Sequence, residues 1–534
     1  MTAPWWKGAV VYHIYVRSFS DSDGDGHGDL KGVAARLDYI SSLGVDAIWL
    51  SPIHPSPNRD WSYDVSDYQG VHPDYGDLAD LDALVAAAHG RGLKVLLDEV
   101  LAHTSDEHAW FAASRDEGPN GPKADWYVWA DPAPDGTAPN NWLSVFGGPA
   151  WAYQPARRQH YHHKFLRQQP KLNWTQPEAK AAALDVLDFW LARGIDGFRL
   201  DVAGTFLHDT ALADNPPVPA ADRGHREWAH ASEMQRHFND SNLPENIPLL
   251  EEIRARVDAH GDRFVFGEFS EEEERCGAYC SPQDGLHSAY TFVLLNARRL
   301  AAGPFRDHAR TLARFPDHWP CISLSNHDVP RTAQRFGPAS ARLMFALMLA
   351  LRGTALVYQG EELGLPDARS LTRTEIRDPV GDLYWPISKG RDGSRTPMPW
   401  QEDGASMGFS SGKPWLPLAV EHAGRSVATQ EADPASALAF SRAMIALRKA
   451  SPALTQGDSA LIETEDPLFA IRRTHGDDVL LCVFNLGETE ARFHHADLTG
   501  AQLLDLSEAR LDQGLVLPPR GFGFLKLPVP AHRG

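Results

Sequence analysis

Eight short runs of apolar, β-forming residues recur along this 534-residue chain, each followed by a polar turn and a helical pattern. This alternation predicts a parallel sheet and favours a closed (β/α)₈ (TIM) barrel over a doubly wound sheet. The runs are residues 9–16, 47–53, 94–100, 197–202, 263–269, 288–294 (the weakest), 321–325 and 354–358. Helices are predicted at 80–89 and 177–193, where Pro177 suits a helix start and Gly194 a helix end.

Two further regions accompany the predicted barrel. Residues 104–173 separate the third and fourth runs and are rich in Trp, Tyr, Pro, Gly and His. A stretch this long is usually functional or a small domain, so an inserted subdomain is predicted. Short strands separated by turns then predict a C-terminal antiparallel β-sandwich over 455–534. The barrel domain is predicted to comprise 1–103 and 174–454.

The net charge and the cysteine content argue against several classes of protein, among them nucleic-acid-binding and zinc-binding proteins. The formal net charge is -20, from 51 basic and 71 acidic residues, which makes nucleic acid and anionic membranes poor partners. The first residues, MTAPWWKGAV, contain no long apolar run, so neither a signal peptide nor a membrane span is predicted and a cytoplasmic location is expected. The four cysteines fit no zinc pattern. Free thiols are expected, with a Cys276–Cys280 pair as the alternative.

Two charged residues share one face of the fourth run, GFRLDV. Arg199 and Asp201 are two positions apart, so both point the same way from a strand. Burying them in a barrel is costly unless they pair or take part in chemistry, and barrel enzymes place their active sites at the carboxyl ends of the strands. The pair is therefore either a structural ion pair or part of an active site.

Three other runs also end in acidic residues. Glu268 ends the fifth run on the same parity as Phe264 and Phe266, and an apolar setting suits a general acid because it raises a carboxyl pKa. Two carboxylates flanking a glycosidic bond can cleave it, whereas metal binding is the main competing explanation. The other endings are Asp98 with His103 just after it, and Asp328 preceded by His327.

These motifs, in this order, resemble glycoside hydrolase family 13, the α-amylase family, nearly from end to end. The resemblance implies a retaining mechanism with Asp201 of GFRLDV as nucleophile and Arg199 as its partner. Glu268 of FGEF would be the acid/base and Asp328 of SNHD the stabiliser of the transition state. It further implies that Asp98 of DEVLAH supports the site, and that His103 and His327 hold hydroxyls of the sugar being cleaved.

Four more segments narrow the resemblance to the oligo-1,6-glucosidase and α-glucosidase group. They are VVYHIYVRSFSDSDGDGHGDL, DWSYDVSDY, QPKLN and GRDGSRTPMPW. In that group Asp60, Tyr63 and Arg395 would close the pocket around the non-reducing-end glucose, which implies exo action. Phe146 and Phe165 either line this pocket or form a small core within the insert.

An acidic loop near the N-terminus has the composition of a cation site. Alternating carboxylates in a loop suit a hard cation with oxygen ligands, and a solvated acidic turn is the alternative. Position twelve of an EF-hand loop would here be Gly32 rather than Glu, so the loop is not an EF-hand. The resemblance implies one structural Ca²⁺ or Mg²⁺, with the His27 carbonyl as a further ligand. The carboxylates are those of Asp21, Asp23, Asp25 and Asp29.

Three positions refine or depart from the family pattern. Ala102 replaces the usual Asn, so a second calcium site is not expected. The family's QPDLN reads QPKLN here, so Lys171 replaces an acidic residue near the cleft. The change is expected to alter either the leaving-group side of the cleft or a salt bridge. Val202 goes with α-1,6 preference in this group, although it is otherwise a simple packing residue.

The expected function is that of an exo-acting retaining α-glucosidase, which releases glucose from short α-1,4- or α-1,6-glucosides with or without transglucosylation. The alternatives within the family are a trehalose synthase, a sucrose hydrolase or another glucosyltransferase. Two alternatives lie outside it: a non-catalytic, membrane-anchored transporter subunit, and a metal-dependent hydrolase with His103, His327 and Asp328 as ligands. A small-molecule glucoside is the expected partner, and the chain is expected to be a monomer or homodimer.

Overall fold

The structure is a computed structural model that describes residues 3–222, 231–269, 273–280 and 285–528. The outermost parts of the predicted domains, residues 1–2 and 529–534, lie outside the described residues. The strands are β1 (Val10–Ile14), β2 (Ala47–Leu50), β3 (Lys94–Glu99), β4 (Trp129–Ala130), β5 (Trp151–Gln154), β6 (Gln159–His162), β7 (Gly197–Leu200), β8 (Phe264–Phe269), β9 (Ser288–Thr291), β10 (Cys321–Ser323), β11 (Thr354–Tyr358), β12 (Asp458–Ile462), β13 (Leu468–His475), β14 (Asp478–Asn485), β15 (Ala491–Phe493), β16 (Gln502–Leu503), β17 (Arg510–Leu511), β18 (Leu515–Leu517) and β19 (Phe522–Lys526).

The α-helices lie mainly between the strands of the first sheet. They are α1 (Leu30–Ala35), α2 (Leu37–Ser42), α3 (Leu78–His89), α4 (Ala109–Asp116), α5 (Pro177–Ala192), α6 (Asn246–Asp258), α7 (Glu273–Tyr279), α8 (Phe292–Leu295), α9 (Gly303–Arg314), α10 (Thr332–Phe336), α11 (Ala341–Ala350), α12 (Pro379–Tyr384), α13 (Val427–Glu431), α14 (Ala437–Ala450) and α15 (Pro452–Thr455). The two helices predicted from the sequence correspond to α3 and α5, and Pro177 is the first residue of α5.

Eight parallel strands form a barrel-like sheet in the order β10-β11-β1-β2-β3-β7-β8-β9. The two outer strands meet, because the Ser288 hydroxyl on β9 donates hydrogen bonds to Trp319 O at 2.6 Å and to Cys321 Sγ on β10 at 3.3 Å. The predicted (β/α)₈ barrel is therefore confirmed. Its parallel strands bring their carboxyl ends to one mouth.

Side chains at alternate strand positions fill the barrel. Trp49, Phe266, Tyr290 and Leu356 belong to one buried apolar cluster, in which the Trp49 and Phe266 rings lie 5.6 Å apart and perpendicular to each other. At the start of β7, a Cβ atom on Gly197 would lie 1.7 Å from the Phe264 carbonyl oxygen. Only glycine therefore lets β7 lie this close to β8 and bring its charged end to the barrel mouth.

The weakest predicted strand is shorter than its apolar run. β9 ends at Thr291, whose side chain accepts a hydrogen bond from the Val293 amide and so caps α8. A capping side chain satisfies a free N–H at a helix start. The extended run at 288–294 therefore divides into a four-residue strand and a one-turn helix.

Two smaller units flank the barrel. Between β3 and β7, strands β4, β6 and β5 form an antiparallel sheet beside α4. At the C-terminus, a five-stranded and a three-stranded antiparallel sheet pack face to face, with Ala470 and Leu481 of the larger sheet against Phe493 and Leu515 of the smaller. Phe469, on the other face of the larger sheet, joins the main core together with the barrel helices. The predicted C-terminal β-domain is confirmed.

Within the described ranges, the structure contains no helix that is both long enough and apolar enough to cross a membrane. All four cysteines are buried, and none of them forms a disulfide. The alternative disulfide between Cys276 and Cys280 is therefore not formed.

Candidate active site

Arg199 occupies the centre of a charged cluster at the barrel mouth. Its Nη1 donates hydrogen bonds to Asp98 Oδ1 at 2.6 Å and Asp201 Oδ1 at 2.7 Å, and its Nη2 lies 2.5 Å from Glu268 Oε2. The arginine is fully buried. Asp98 and Arg199 are paired across β3 and β7, so the parallel register itself brings them together. The ends of three adjacent strands thus surround one cation.

One guanidinium does not neutralise three carboxylates. Burial raises the pKa of Asp98 to about 7 against the opposing effect of Arg199. Burial also raises the pKa of Asp201; Arg199 opposes this, and the charges of Glu268 and Asp98 raise it further. Because nearby like charges disfavour complete ionisation, the cluster favours keeping one proton at neutral pH. A general acid requires such a proton.

Glu268 is held in place by contacts from two neighbouring strands. The Tyr290 hydroxyl donates to Glu268 Oε1 at 2.9 Å, and the Val202 amide donates to Oε2 at 3.2 Å. Val202 directly follows Asp201 and adopts φ 40° and ψ 46°, a left-handed conformation that is strained for a β-branched residue. This turn links the carboxyl that follows β7 to the carboxyl on β8.

Asp328 lies between two arginines and a histidine. Its Oδ1 accepts hydrogen bonds from Arg395 at 2.7 Å and Arg391 at 3.2 Å, and its Oδ2 lies 3.3 Å from His327 Nε2. Burial acts to raise the pKa of Asp328, but His327, Arg391 and Arg395 outweigh it and hold the pKa well below its usual value. Asp328 therefore places a fixed negative charge in the site at neutral pH.

Asp60 forms a second polar group with Arg391 and Gln169. Its Oδ1 accepts from Arg391 Nη2 at 2.6 Å and its Oδ2 accepts from Gln169 Nε2 at 3.1 Å. Asp64 fixes the loop that carries Asp60 by accepting the Asp60 amide at 3.0 Å and the Arg59 amide at 2.9 Å. A buried carboxylate held in this way is preorganised to bind hydroxyl groups.

The two histidines of the cluster are neutral at neutral pH. Burial lowers the pKa of His103 to about 4 and that of His327 to about 3. The His327 ring stacks on Tyr63 with centroids 5.1 Å apart, and the Tyr63 hydroxyl donates to Asp98 Oδ2 at 3.0 Å. His103 Nε2 lies 2.9 Å from Tyr63 O. A neutral imidazole can donate one hydrogen bond and accept another, so His103, which lines the cavity, can bind a sugar hydroxyl without adding charge.

These groups surround a cavity of about 540 Å³ at the barrel mouth, here called the active-site cavity. This volume lies within the usual range for small-molecule sites. Of the side chains predicted from the sequence, those that line it are Asp60, Tyr63, His103, Phe146, Phe165, Asp201, Glu268 and Asp328. Behind this wall lie four buried residues that were also predicted from the sequence: Asp98, Arg199, His327 and Arg395.

Comparison with known protein families shows which family this chain belongs to. The family described as "Alpha amylase, catalytic domain" matches residues 13–457, most of the chain. The chain belongs to the alpha-amylase family. It is a glycoside hydrolase by this membership, and the matched residues include every side chain of the charged cluster.

Individual relatives agree with this family assignment. A probable alpha-glucosidase of Rhizobium meliloti (strain 1021) is 47% identical over 502 residues, which cover 91% of this chain and 90% of the relative. An oligo-1,6-glucosidase of Parageobacillus thermoglucosidasius is 34% identical, with 93% of each protein covered. The crystal structure of an alpha-glucosyl transfer enzyme is 45% identical and superposes with a TM-score of 0.94, covering 98% of this chain and all of that one.

Two residues that were predicted to contact the sugar, His327 and Arg395, do not line the cavity of this alpha-amylase family member. Arg395, predicted to grip glucose together with Asp60, lies behind Asp328 and does not line the cavity. Arg391 lines the cavity and pairs with Asp60. Both arginines belong to GRDGSR, and a short 3-10 turn at Asp392–Ser394 separates them. The spacing alone does not reveal which of the two faces the cavity.

Several residues of the cavity wall were not predicted from the sequence. Gln169 is the first residue of the QPKLN segment, so the motif already contained it, but no role was predicted for its side chain. Phe146 and Phe165 face each other with centroids 5.6 Å apart in the wall, so the structure favours the pocket-lining alternative for them. The other unpredicted wall residues are Val145, Lys164, Gly204, Thr205, Ser232, Glu233, His237, Ser241, Phe292 and Asn296.

The acidic loop places some of its predicted ligands together. Ligand oxygens of Asp21, Asp23 and Asp29 all lie within 4.8 Å of one another, and this is the only such group of acidic, His or Cys residues in the described part of the chain. Asp25 lies outside the group and accepts the His27 amide at 2.7 Å. The group is all-oxygen and compact, which fits a hard cation. His103, His327 and Asp328 form no such group, contrary to the metal-hydrolase alternative.

Proposed function

We propose that this glycoside hydrolase is an exo-acting, retaining α-glucosidase that releases glucose from short α-glucosides. The observation that carries the proposal is the convergence of Asp201 and Glu268 on one arginine in the wall of one cavity. Because they contact adjacent nitrogens of the same guanidinium, both carboxyls can face one anomeric carbon. Double displacement needs such proximity, with about 5–5.5 Å between the two carboxyl groups. The names of the glucosidase relatives support the same substrate class.

The exo mode rests on the polar group around Arg391. Its guanidinium forms ion pairs with Asp60 at 2.6 Å, Asp378 at 2.8 Å and Asp328 at 3.2 Å. These buried, mutually paired groups offer several fixed hydrogen-bonding atoms to the hydroxyls of a single terminal sugar. If the substrate continued beyond this sugar, these side chains would lose the hydroxyl groups that they are placed to bind, and unsatisfied polar groups are costly in a buried site.

The proposed reaction has two steps at the same carbon. Glu268, as the acid, donates its proton to the glycosidic oxygen while the Asp201 carboxylate attacks the anomeric carbon and the bond to the leaving alcohol breaks. Glu268, now a carboxylate, then takes a proton from water, and the water oxygen displaces Asp201. Two inversions leave the α configuration unchanged. The negative charge of Asp328 stabilises the positive charge that develops on the sugar in each transition state.

Product analysis on defined oligosaccharides tests this function. With isomaltotriose or maltotriose, glucose is expected as the first monosaccharide, and fresh product is expected in the α configuration by NMR. Trisaccharides whose terminal non-reducing 4-hydroxyl is blocked should react at least about 100-fold more slowly, because buried partners of that hydroxyl lose their hydrogen bonds.

The same experiment has outcomes that contradict the proposal. Equal cleavage of blocked and unblocked trisaccharides would indicate endo action, and release of β-glucose would indicate an inverting mechanism. The ratio of rates on the two trisaccharides also measures the linkage preference. The α-1,6 preference associated with Val202 remains a prediction until that ratio is known.

A second candidate is transfer of glucose to another hydroxyl compound. It is favoured by the similarity to a solved alpha-glucosyl transfer enzyme and by the polar side chains Ser232, His237 and Ser241 in the cavity wall. The first chemical step is the same, and only the acceptor of the second step differs. Time-resolved products from maltose, isomaltose, sucrose and trehalose separate hydrolysis from transfer, isomerisation and sucrose cleavage.

We also propose that Asp21, Asp23 and Asp29 hold one structural Ca²⁺ or Mg²⁺. The loop contacts the segment that follows Arg395: the Ser410 hydroxyl donates to Asp21 Oδ2 at 2.5 Å, and the Trp415 amide donates to Gly26 O at 3.0 Å. A cation would neutralise the three clustered carboxylates and so strengthen these contacts. Its role would be in stability rather than in chemistry.

Removing divalent cations is expected to lower the melting temperature. Ca²⁺ at about 100 times its dissociation constant would stabilise the fold by about 2.7 kcal/mol, which is roughly 2–3 °C for a chain of 534 residues. The measurement is a thermal melt of EDTA-treated protein with and without added Ca²⁺ or Mg²⁺. Asp21→Asn should abolish the shift, whereas Asp38→Asn, at an exposed carboxylate paired with Arg91, should retain it. A shift that survives Asp21→Asn would contradict the site.

A cytoplasmic location and a monomeric or homodimeric state are further proposals. The four buried cysteines, none of which forms a disulfide, support a reducing compartment. Sedimentation of the purified protein at several concentrations tests the oligomeric state directly.

A further inference from the structure

Lys171 is a buried lysine that reaches from the insert (residues 104–173) to the loop after the nucleophile. Only 2% of the residue is exposed. Its amide donates to His162 O at 2.9 Å, and it forms an antiparallel bridge with His103. These contacts fix its backbone to the insert and to the end of β3. The Nζ atom donates hydrogen bonds to the carbonyl oxygens of Thr205 and Phe206, the latter at 2.9 Å.

Residues 202–206, here called the β7 loop, have every carbonyl oxygen bound by a donor. Val202 O accepts from the Thr205 amide at 2.8 Å, and Gly204 O accepts from the Asn242 amide at 2.6 Å. Ala203 O accepts from the Asn246 side chain at 2.7 Å. The last two carbonyls, those of Thr205 and Phe206, accept hydrogen bonds from Lys171. Lys171 thus connects this loop to the insert by two hydrogen bonds.

The two segments that Lys171 connects both contribute to the cavity wall. The insert contributes Phe146, Phe165 and Gln169, and the β7 loop contributes Val202 and Thr205. The Val202 amide binds Glu268, the proposed acid/base. Because the acid/base faces the leaving group and later the incoming hydroxyl, the β7 loop lies on the acceptor side of the sugar being cleaved. The lysine side chain thus spans from the insert to a loop on the acceptor side.

A second lysine supports the same contact between the insert and the barrel. Lys164 Nζ lies 2.7 Å from Asp240 Oδ2, and both groups are nearly inaccessible to solvent. Asp240 also binds the ring of His237, which lines the cavity. Burial and the charge of Lys164 lower the pKa of Lys171 to about 7. A neutral amine keeps two N–H groups, which are enough for the two carbonyls, so the connection persists in either protonation state.

We propose that Lys171 is a positioning residue that fixes the acceptor side of the cavity, and that it thereby controls how the glucosyl-enzyme is divided between water and a hydroxyl acceptor. The proposal rests on the glucosidase function proposed above. A sugar acceptor must be aligned by the wall, because a misplacement of about 1 Å can cost up to 100-fold in rate. Water is small and has no such requirement. Removing the connection should therefore reduce transfer more than hydrolysis.

The test measures the ratio of transfer to hydrolysis with p-nitrophenyl α-glucoside as donor and cellobiose as acceptor. Nitrophenol reports total turnover and glucose reports hydrolysis, so their difference is transfer. Lys171→Met, which keeps a long side chain but removes the donors, is expected to lower this ratio about tenfold. Lys180→Met removes an exposed lysine that pairs with Glu252 and should leave the ratio unchanged.

The ratio separates positioning from a general effect on folding. It is measured on the active molecules alone, so a smaller folded fraction lowers both products equally and does not change it. Lys171→Gln, a shorter side chain with one amide donor group, is the second variant if Lys171→Met does not accumulate. An unchanged ratio in the variants, or no transfer by the unmodified enzyme, would overturn this inference. Absence of nitrophenol release by the unmodified enzyme would instead overturn the proposed function.

Discussion

Asp201→Asn is expected to lower kcat at least about 10⁴-fold, since a neutral amide cannot form the covalent intermediate. Thermal stability should be unchanged or higher. Burial raises the pKa of Asp201, and the neighbouring Glu268 and Asp98 raise it further, so ionised Asp201 is an electrostatic strain on the folded state at neutral pH. Asparagine removes that charge and keeps an oxygen that can accept from Arg199. The measurements are turnover of p-nitrophenyl α-glucoside and a thermal melt.

The matched control is Asp185→Asn, at an exposed carboxylate that pairs with Arg256 at 2.7 Å. It should retain both activity and melting temperature. Turnover of the Asp201 variant above about 1% of the unmodified rate, beyond what contamination explains, would contradict the nucleophile assignment. A lower melting temperature would instead indicate that the ion pair with Arg199 is needed for folding.

The barrel and its charged mouth follow from patterns within single strands. Parity alone predicts that Arg199 and Asp201 point the same way, and that Glu268 lies on the aromatic face of its strand. The structure adds the register, which pairs Asp98 with Arg199 across β3 and β7. Register depends on contacts between segments about a hundred residues apart. The amino-acid sequence of a single chain contains no direct signal for this register.

What sequence reasoning missed are contacts that depend on irregular backbone or on the packing of distant segments. Arg391 and Arg395 are four positions apart, and the short turn between them decides which one faces the cavity. Val202 makes its contact with Glu268 only because its backbone is left-handed. Lys171 stands out in the sequence as a departure from QPDLN, but its partners at Thr205 and Phe206 become known only once the insert is folded against the barrel.

The charged cluster also explains why the proposed acid and nucleophile occupy adjacent strands. A buried arginine shared by three carboxylates keeps the group compact. The excess negative charge favours a retained proton, and Asp328 stays ionised between its own cations. The cavity therefore contains one environment that raises a carboxyl pKa, at Asp201, and one that lowers it, at Asp328. Environments that shift carboxyl pKa values in opposite directions are the usual way in which acid and base roles are separated.

Glu268→Gln is expected to lower hydrolysis of disaccharides by about 10²–10⁴-fold, because the leaving sugar then departs without protonation. The loss should be smaller for the first step with p-nitrophenyl α-glucoside, because nitrophenolate needs no proton to leave. The second step lacks its base and becomes rate-limiting, so a burst of nitrophenol is expected in stopped-flow measurements. Glu252→Gln, at an exposed glutamate paired with Lys180, is the matched control and should behave like the unmodified enzyme.

Azide distinguishes the acid/base role from a merely structural one. In Glu268→Gln the glucosyl-enzyme on Asp201 persists, and azide, which needs no general base, attacks it from the side that Glu268 faces. The expected product is α-glucosyl azide, together with faster release of nitrophenol. If Glu268 were instead the nucleophile, no such intermediate would form, and azide would attack the substrate directly with inversion to the β product. Formation of β-glucosyl azide, or no rescue at all, would therefore overturn the assignment of residues 201 and 268.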